Sequence, residues 1–322
     1  MTTKQPPPRS PAKKAPVPSG RMPSVQIGNE RPAMAAKVVK SGTDPFADLV
    51  GDEEHFGRFL MFYSEAGMGK TTLASQFEKP MFITTSGEHG AAIYKERGLI
   101  PRDVTIVPLE DVYEQDSIPD GDGHPGWDKC LKTMDRFLNA NHGRKTLIID
   151  SVSGLQELCF QHCASKLYKG DMSSKAKDGY LSFYGGYIKA AEAYWDAQFL
   201  SLCLKIVRKG YNVILLAHSV YRQVDNPVGP DFQQYEPQLF SRIWSFTKKK
   251  LHGVYFMGQM VNVTIDEKTK KKKTLGDRRF IGISPSTYYI AKSWVTPTGE
   301  SEIDCGENAA ETYKNLCAVL GM

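Results

Sequence analysis

The apolar run Phe59-Leu60-Met61-Phe62-Tyr63 opens directly into Ser64-Glu65-Ala66-Gly67-Met68-Gly69-Lys70-Thr71-Thr72. A buried strand that breaks into a glycine-bearing loop ending in Gly-Lys-Thr is the pattern of a phosphate-binding loop. It constrains the fold more than any other feature of the chain. Gly67 and Gly69 let backbone N–H groups turn inward around phosphates without a clashing side chain. Lys70 reaches the β- and γ-phosphates, and the Thr71 hydroxyl can hold Mg²⁺. The helix that starts here points its positive end at the anion. Ser64 stands where the first glycine of G-x-x-x-x-G-K-[ST] belongs, and a small serine tolerates the turn. Ser64, Gly67, Met68, Gly69, Lys70, Thr71 and Thr72 are therefore the candidate nucleotide-binding residues.

Two carboxylates and a histidine follow at strand ends. After the loop a helix is predicted from Thr71 to Phe77, then a short buried strand over 81–85. That strand ends at Ser86-Gly87-Glu88-His89-Gly90, and Glu88 is placed to orient an attacking water. The run Thr146-Leu147-Ile148-Ile149-Asp150 reads as a parallel strand buried on both faces. An aspartate at the end of such a strand is the second Mg²⁺ element, so Thr71 and Asp150 form the candidate metal site. The 80 residues from Lys70 to Asp150 leave room for two βα units. Ile188, Ala191, Trp195, Phe199, Leu202 and Ile206 recur at helical spacing, closed by Gly210. The strand 211–218 then ends at His218, positioned to sense the γ-phosphate. Lys70, Glu88, Asp150 and His218 are the candidate catalytic residues.

Charge separates the ends of the chain. Residues 1–43 hold eight Lys/Arg against Glu30 alone, a net +7, while the remaining 33 basic and 35 acidic residues sum to −2. The tail, rich in Pro, Ser, Ala and Lys, is predicted to be disordered and suited to weak contact with nucleic acid or to solubility alone. No run of about 18 apolar residues occurs, so no membrane span is expected. The six cysteines are scattered, which points to a reducing, cytoplasmic setting. Cys159, His162 and Cys163 fall within five residues, but without a second ligand pair they read as a buried helix face.

Three segments have the composition of a nucleic-acid contact. Residues 164–187 interleave Lys175 and Lys177 with Tyr184 and Tyr187, charge for phosphates and rings for bases. Residues 219–240 read as a long turn-rich loop that includes Arg222. Residues 266–277 read as a hairpin whose basic tip includes Lys271 and Lys272.

Taken together, SEAGMGKTT after a strand, PMFITTSGEHG, TLIIDSVSGLQE and a Gly-Tyr-Asn-Val strand ending in Ala217-His218 resemble the RecA-like P-loop ATPases found in phages. More narrowly they resemble the short RecA-type recombinases that act as single-strand annealing proteins. The resemblance covers roughly 44–322 and is strongest over 58–218. It implies an α/β RecA-like fold, a mostly parallel sheet flanked by helices. It also implies ATP and Mg²⁺ as cofactors and single-stranded DNA as partner. A ring or filament of identical copies is implied as well, with a single-stranded-DNA-binding protein as a further partner. A core over 44–253, followed by a β-rich hairpin extension and a C-terminal helix over 254–322, completes the expected organisation. Relatives often carry Ala-Lys-Asn-Arg near a late strand, where a basic residue reaches a neighbour's γ-phosphate. Here Ala291-Lys292-Ser293-Trp294 keeps the lysine and replaces the arginine, leaving Lys292, Arg278 and Arg279 as candidates for that role. The leading expectation is ATP-dependent annealing or strand pairing. The alternatives are an ATP-gated DNA-binding module with little turnover and a helicase-type motor.

Overall fold

The computed structural model describes residues 56–114, 117–227, 229–265, 272–294 and 299–322; the basic tail 1–43 and Lys271 lie outside them. In chain order the strands and helices are β1 (Phe59–Ser64), α1 (Lys70–Ala74), β2 (Pro80–Thr84), α2 (Gly90–Glu96), β3 (Thr105–Pro108) and α3 (Pro125–Asn139). There follow β4 (Thr146–Asp150), α4 (Val152–Tyr168) and α5 (Gly185–Lys189), which runs through a π-helical stretch (Ala190–Leu200) into α6 (Ser201–Arg208). The chain continues with β5 (Asn212–Val224), β6 (Phe232–Pro237), α7 (Ser241–Lys250), β7 (Gly253–Ile265), β8 (Lys272–Gly282), β9 (Lys292–Ser293), β10 (Glu302–Asp304) and α8 (Ala309–Leu320).

The sheet runs β10-β8-β7-β1-β5-β4-β2-β3, with β6 paired to β5 and β9 to β7. Every neighbouring pair from β7 through β1, β5, β4 and β2 to β3 is parallel; β8 and β10 are antiparallel additions. The phosphate-loop strand β1 and the aspartate strand β4 are thus separated by β5, the RecA-like order. Two βα units, β2–α2 and β3–α3, fill the interval between Lys70 and Asp150 as the spacing anticipated.

Strand alternation explains the continuous hydrophobic runs. Phe59, Met61 and Tyr63 face one core with Leu147, Ile149, Val213 and Leu215, under Trp127, Leu155, Trp195 and Phe199 of the helices on that side. Leu60 and Phe62 face the other core with Ile148, Ile214 and Leu216, under Leu73, Ala74, Leu316 and Leu320. Successive side chains of a strand point to opposite faces, so a strand covered on both sides must be apolar at every position. Removing one of the large rings, as in Phe62→Ala, costs about 3–5 kcal/mol on the general scale for such cavities.

Three local expectations are corrected. α1 ends at Ala74 and not at Phe77, although Phe77 stays buried in the core. Residues 219–240 are not a loop: β5 continues to Val224 and pairs antiparallel with β6 from Ser219↔Pro237 to Val224↔Phe232. The glycine and prolines that suggested a loop are mostly confined to the hairpin tip. The Tyr221 and Tyr235 rings, opposite each other in register, lock its stem at 4.4 Å. β7 begins at Gly253, well before the hairpin expected over 266–277, because its first four paired residues lie parallel to Leu60–Tyr63 in the central sheet. The antiparallel pairing of β7 with β8 is the anticipated hairpin, though it is longer than expected.

Candidate nucleotide-binding and catalytic site

Register brings the functional strand ends to one edge. Ser64 of β1 is opposite His218 of β5, Asp150 of β4 is opposite Leu216 of β5, and Thr84 of β2 is opposite Asp150. The phosphate loop, Glu88, Asp150 and His218 therefore leave the sheet together, at the carboxyl ends where parallel sheets form their ligand crevice.

Gly67 and Gly69 take φ of 80° and 91°, the left-handed region that a glycine enters at no steric cost. Gly67 is exposed, and a Cβ added there would meet no atom within 4 Å, so it is the positive φ and not crowding that calls for glycine. The Lys70 ammonium is buried. It donates to Ser64 Oγ at 3.0 Å, to the Ser64 carbonyl at 3.2 Å and to the Glu65 carbonyl at 3.0 Å. Ser64 thus does more than tolerate the turn, because its hydroxyl holds the lysine in place. Burial lowers the Lys70 pKa, against the opposing pull of Asp150 and Glu88. Thr72 closes the loop by donating from Oγ1 to the Gly69 carbonyl at 2.9 Å.

Thr71 Oγ1 donates to Asp150 Oδ2 at 2.8 Å, so the two predicted metal-side groups are neighbours. Burial pushes the Asp150 carboxyl up to about 6, and the Thr71 hydrogen bond pulls it back. A hydroxyl beside a buried carboxylate is an oxygen donor set that suits a hard cation, and a cation there would offset the buried charge. Beyond Asp150 the peptide to Ser151 is cis. Ser151 caps α4 by accepting from the Gly154 N–H at 3.3 Å.

Glu88 sits on the turn after β2, and its Oε1 lies 2.6 Å from His218 Nε2. That hydrogen bond is the main cause holding the Glu88 carboxyl below its ordinary value, with burial opposing it and Ser151 and Lys70 assisting. Two hydroxyls and one backbone hydrogen bond tie the strand ends together. The Ser151 N–H donates to Thr85 Oγ1 at 3.1 Å, the His218 N–H donates to Ser153 Oγ at 3.0 Å, and the Thr85 N–H reaches the Asp150 carbonyl at 2.9 Å. Gly154 permits this closeness, since a Cβ there would fall 2.3 Å from Thr85 Oγ1. Thr85, Ser151 and Ser153 were not singled out from the sequence. The only signal was the Ser-Val-Ser-Gly run after Asp150, a helix-capping pattern.

The other candidates do not all gather at this cleft: Trp294 lies at the opposite, amino-terminal end of β1, where its backbone N–H donates to the His252 carbonyl and the Phe59 N–H donates to His252 Nδ1. Lys175 and Lys177 are exposed, and Tyr184 is 65% exposed beside Phe183 at 94%. Tyr187 packs edge-on against Phe160 and Tyr180. Arg222 braces the β5–β6 hairpin, donating to the Leu239 carbonyl at 3.1 Å with Glu236 at 3.5 Å. Lys272 opens β8. Lys292 donates to the Lys248 and Leu251 carbonyls at 2.9 and 2.7 Å, at the end of α7. Arg278 is paired with Asp304 at 2.7 Å. Arg279 is exposed and shares a small hollow with Gly69 and Thr72. Trp294 stacks on His252 with centroids 4.4 Å apart. Cys159 and Cys163 are buried, their thiols toward the Ala190 and Gly186 carbonyls, a packed helix face as expected.

The protein family described as AAA domain matches residues 57–294, well over half of the chain. No curated protein matches. Among solved structures, the flagellar accessory protein FlaH from Methanocaldococcus jannaschii is similar at 12% identity and a TM-score of 0.36. That match covers 77% of this chain and 84% of that one.

Proposed function

The chain belongs to the AAA domain family, and from that premise we propose that it is a Mg²⁺-dependent ATPase that acts on single-stranded DNA in annealing or strand pairing. The observation that carries the reading is the convergence of four strands, β1, β2, β4 and β5, at one edge of the sheet. They place Lys70, the Thr71–Asp150 pair and the Glu88–His218 pair around the open phosphate loop. Lys70 and the loop N–H groups would hold the phosphates. Thr71 and Asp150 would hold Mg²⁺, which would neutralise charge developing on the γ-phosphate. Glu88, kept ionised by its hydrogen bond to His218, would orient the attacking water, and His218 would couple that water to β5. Because β5 continues without a break from His218 into the β5–β6 hairpin, a shift of His218 would be felt at that hairpin.

Phe183 and Tyr184, exposed in the same 164–187 segment as the exposed Lys175 and Lys177, support the choice of single-stranded DNA. Large rings held in solvent offer stacking surfaces to unpaired bases. Oligomerisation into a ring or filament, and a single-stranded-DNA-binding protein as further partner, belong to the same proposal. The test is fluorescence anisotropy of a labelled single strand titrated with the full chain, with and without ATP and Mg²⁺. Binding that strengthens with nucleotide and falls steeply with salt is expected; no binding at low salt contradicts the reading.

A second reading, an ATP-gated module with slow turnover, has its own observation. Lys292 is engaged by two carbonyls, Arg278 by Asp304, and Trp294 occupies the place of an arginine. Trp294→Arg separates the two: a rise in DNA-stimulated turnover favours the slow module, and unchanged turnover favours an ATPase complete without that cation.

A further inference from the structure

The parallel strands from β7 to β3 share a second edge, the one where they begin, opposite the edge that carries the phosphate loop. Basic residues stand at the entry to its middle strands. β4 follows Arg144 and Lys145, and β5 follows Arg208 and Lys209 before Gly210 and Tyr211. β1 follows Arg58, and β7 follows Lys248-Lys249-Lys250 with Leu251 and His252 between. In the sheet β4, β5, β1 and β7 are successive neighbours. The cations therefore form one row, about 15 Å long at about 4.8 Å per strand. It stops toward β2 and β3, where Glu78 and Asp103 precede the strands.

These charges are held in place more than they are cancelled. The Arg58 guanidinium donates to the Gly321 carbonyl at 3.0 Å, and Lys209 Nζ to the Leu138 carbonyl at 2.6 Å. Lys145 and Lys248 lie over the rings of Tyr211 and Trp244, at 5.9 and 5.7 Å. Carbonyls and rings orient a cation without neutralising it. Among the described residues, carboxylates pair in this row with Lys250, through Asp196, and with Arg144, through Asp103 at 3.8 Å. Exposed Arg208 and Lys249, and Lys205 one turn before Lys209, have no ion pair among those residues. The local field is positive: burial, then Lys292 and Arg58, lower the His252 pKa, and burial, then Lys248, lower that of Lys292. Cations at the ends of α6 and α7 also offset the helix dipoles, but Arg58, Arg144 and Lys145 lie on no helix. The acidic run Asp52-Glu53-Glu54 precedes Phe56, outside the described residues, with fewer charges than the row.

Aromatic rings open onto the same edge. A cavity of about 480 Å³ there is lined by Phe56, Arg58, Arg208, His252 and Trp294. Phe56 is 58% exposed and Trp294 63%, unlike the large rings of the core. Trp294 is propped by His252, on which it stacks at 28°, and by Lys292 Nζ, 5.4 Å from its centroid. A ring held in solvent beside uncancelled cations takes a base while the cations take phosphates. We propose that the amino-terminal edge of the sheet is a surface for single-stranded nucleic acid, with a base against Trp294 and the backbone along the row from Lys249 to Lys145. The continuous helical run from α5 into α6 sets Arg208 on the order of 30 Å from Phe183 and Tyr184, at about 1.5 Å per residue. The edge is thus separate from the 164–187 segment, and it lies away from the phosphate loop, so its binding needs no nucleotide. The inference goes beyond the ATP-dependent contact, and either can fail alone.

Anisotropy of a labelled thymidine oligonucleotide, titrated with the full chain without nucleotide over a salt series, tests the assignment. Inorganic polyphosphate, which has charge and no bases, is the second probe. The triple variant Lys205→Gln, Arg208→Gln, Lys249→Gln removes exposed cations that have no ion pair to lose among the described residues. Its slope of log affinity against log salt should be shallower by about 2, at about 0.7 per phosphate of a single strand. ATP affinity should stay unchanged. Trp294→Ala should weaken the oligonucleotide about ten-fold, the scale of one stacked base, and Trp294→Phe should recover most of the loss. Polyphosphate affinity should be the same in both Trp294 variants. An unchanged slope in the triple variant overturns the proposal and leaves the row to helix capping and solubility. Trp294→Ala that weakens polyphosphate as much as the oligonucleotide overturns the base contact. Edge variants without effect, in a chain whose strand binding still strengthens with ATP, sink this proposal alone. Edge variants that act as stated, in a chain indifferent to ATP, support it and sink the ATP-dependent reading.

Discussion

Glu88 Oε1 lies 2.6 Å from His218 Nε2, joining the turn after β2 to β5 across the top of β4. Under the proposed function the pair would meet the γ-phosphate of a nucleotide on the loop, with the carboxylate oriented before a water arrives. Glu88→Gln keeps the size of the side chain and removes the base. ATP affinity should stay within about two-fold and turnover should fall about 100-fold, the lower end for a positioned general base. Parallel measurement of affinity and turnover checks this; turnover at the parent rate would reassign the residue.

The same pair sets a pH-dependent stability. The hydrogen bond to His218 holds the folded Glu88 carboxyl below its unfolded value. A depressed acid contributes stability that is present above the unfolded pKa, about 4.5, and lost as pH falls through the lower folded value. Glu88→Gln should therefore be less stable than the parent at pH 7, with the deficit shrinking as pH falls below about 4.5. Urea unfolding of both proteins at several pH values reads the difference directly. A deficit that grows toward acid would contradict the assignment.

Ser64 and Lys70 give a prediction at the loop. Lys70→Ala removes the charge that contacts the phosphates, and ATP affinity should fall about ten- to 100-fold. Ser64→Ala removes only the hydroxyl that accepts from Lys70 Nζ at 3.0 Å, while two carbonyls still hold the ammonium. Its effect should be smaller, no more than about ten-fold, and ATP titration of the two variants ranks them.

Phe183 and Tyr184 should matter to DNA and not to folding. Both rings stand in solvent on left-handed backbone. Truncation to alanine should leave the melting temperature unchanged and weaken single-strand binding by about 1–3 kcal/mol per ring that stacks on a base. Equal DNA affinity in the double variant would move the contact elsewhere.

The central site was legible because its residues are close to their strands in sequence. Lys70, Glu88, Asp150 and His218 each follow a short apolar run, and parallel strands carry such residues to one edge whatever lies between. What bridges them was not legible. Thr85, Ser151 and Ser153 are common polar residues whose partners, such as Ser151 for Thr85, lie far away in sequence. The same holds for β7 and β8. Gly253, Gly258 and Gly282 weaken their strand signal, yet each lies against an aromatic ring, and ring stacking is a tertiary property. Arg222 is a related case: its guanidinium donates to the Leu239 carbonyl and pairs with Glu236, partners that its charge alone did not reveal.

Steady-state ATP hydrolysis by the full chain with Mg²⁺, with and without single-stranded DNA, tests the account most directly, with Lys70→Ala as the control. Hydrolysis that DNA stimulates, and that disappears with Lys70, is the expected result. Turnover that persists without Lys70, or no ATP binding and no turnover in the parent protein under any of these conditions, would contradict it.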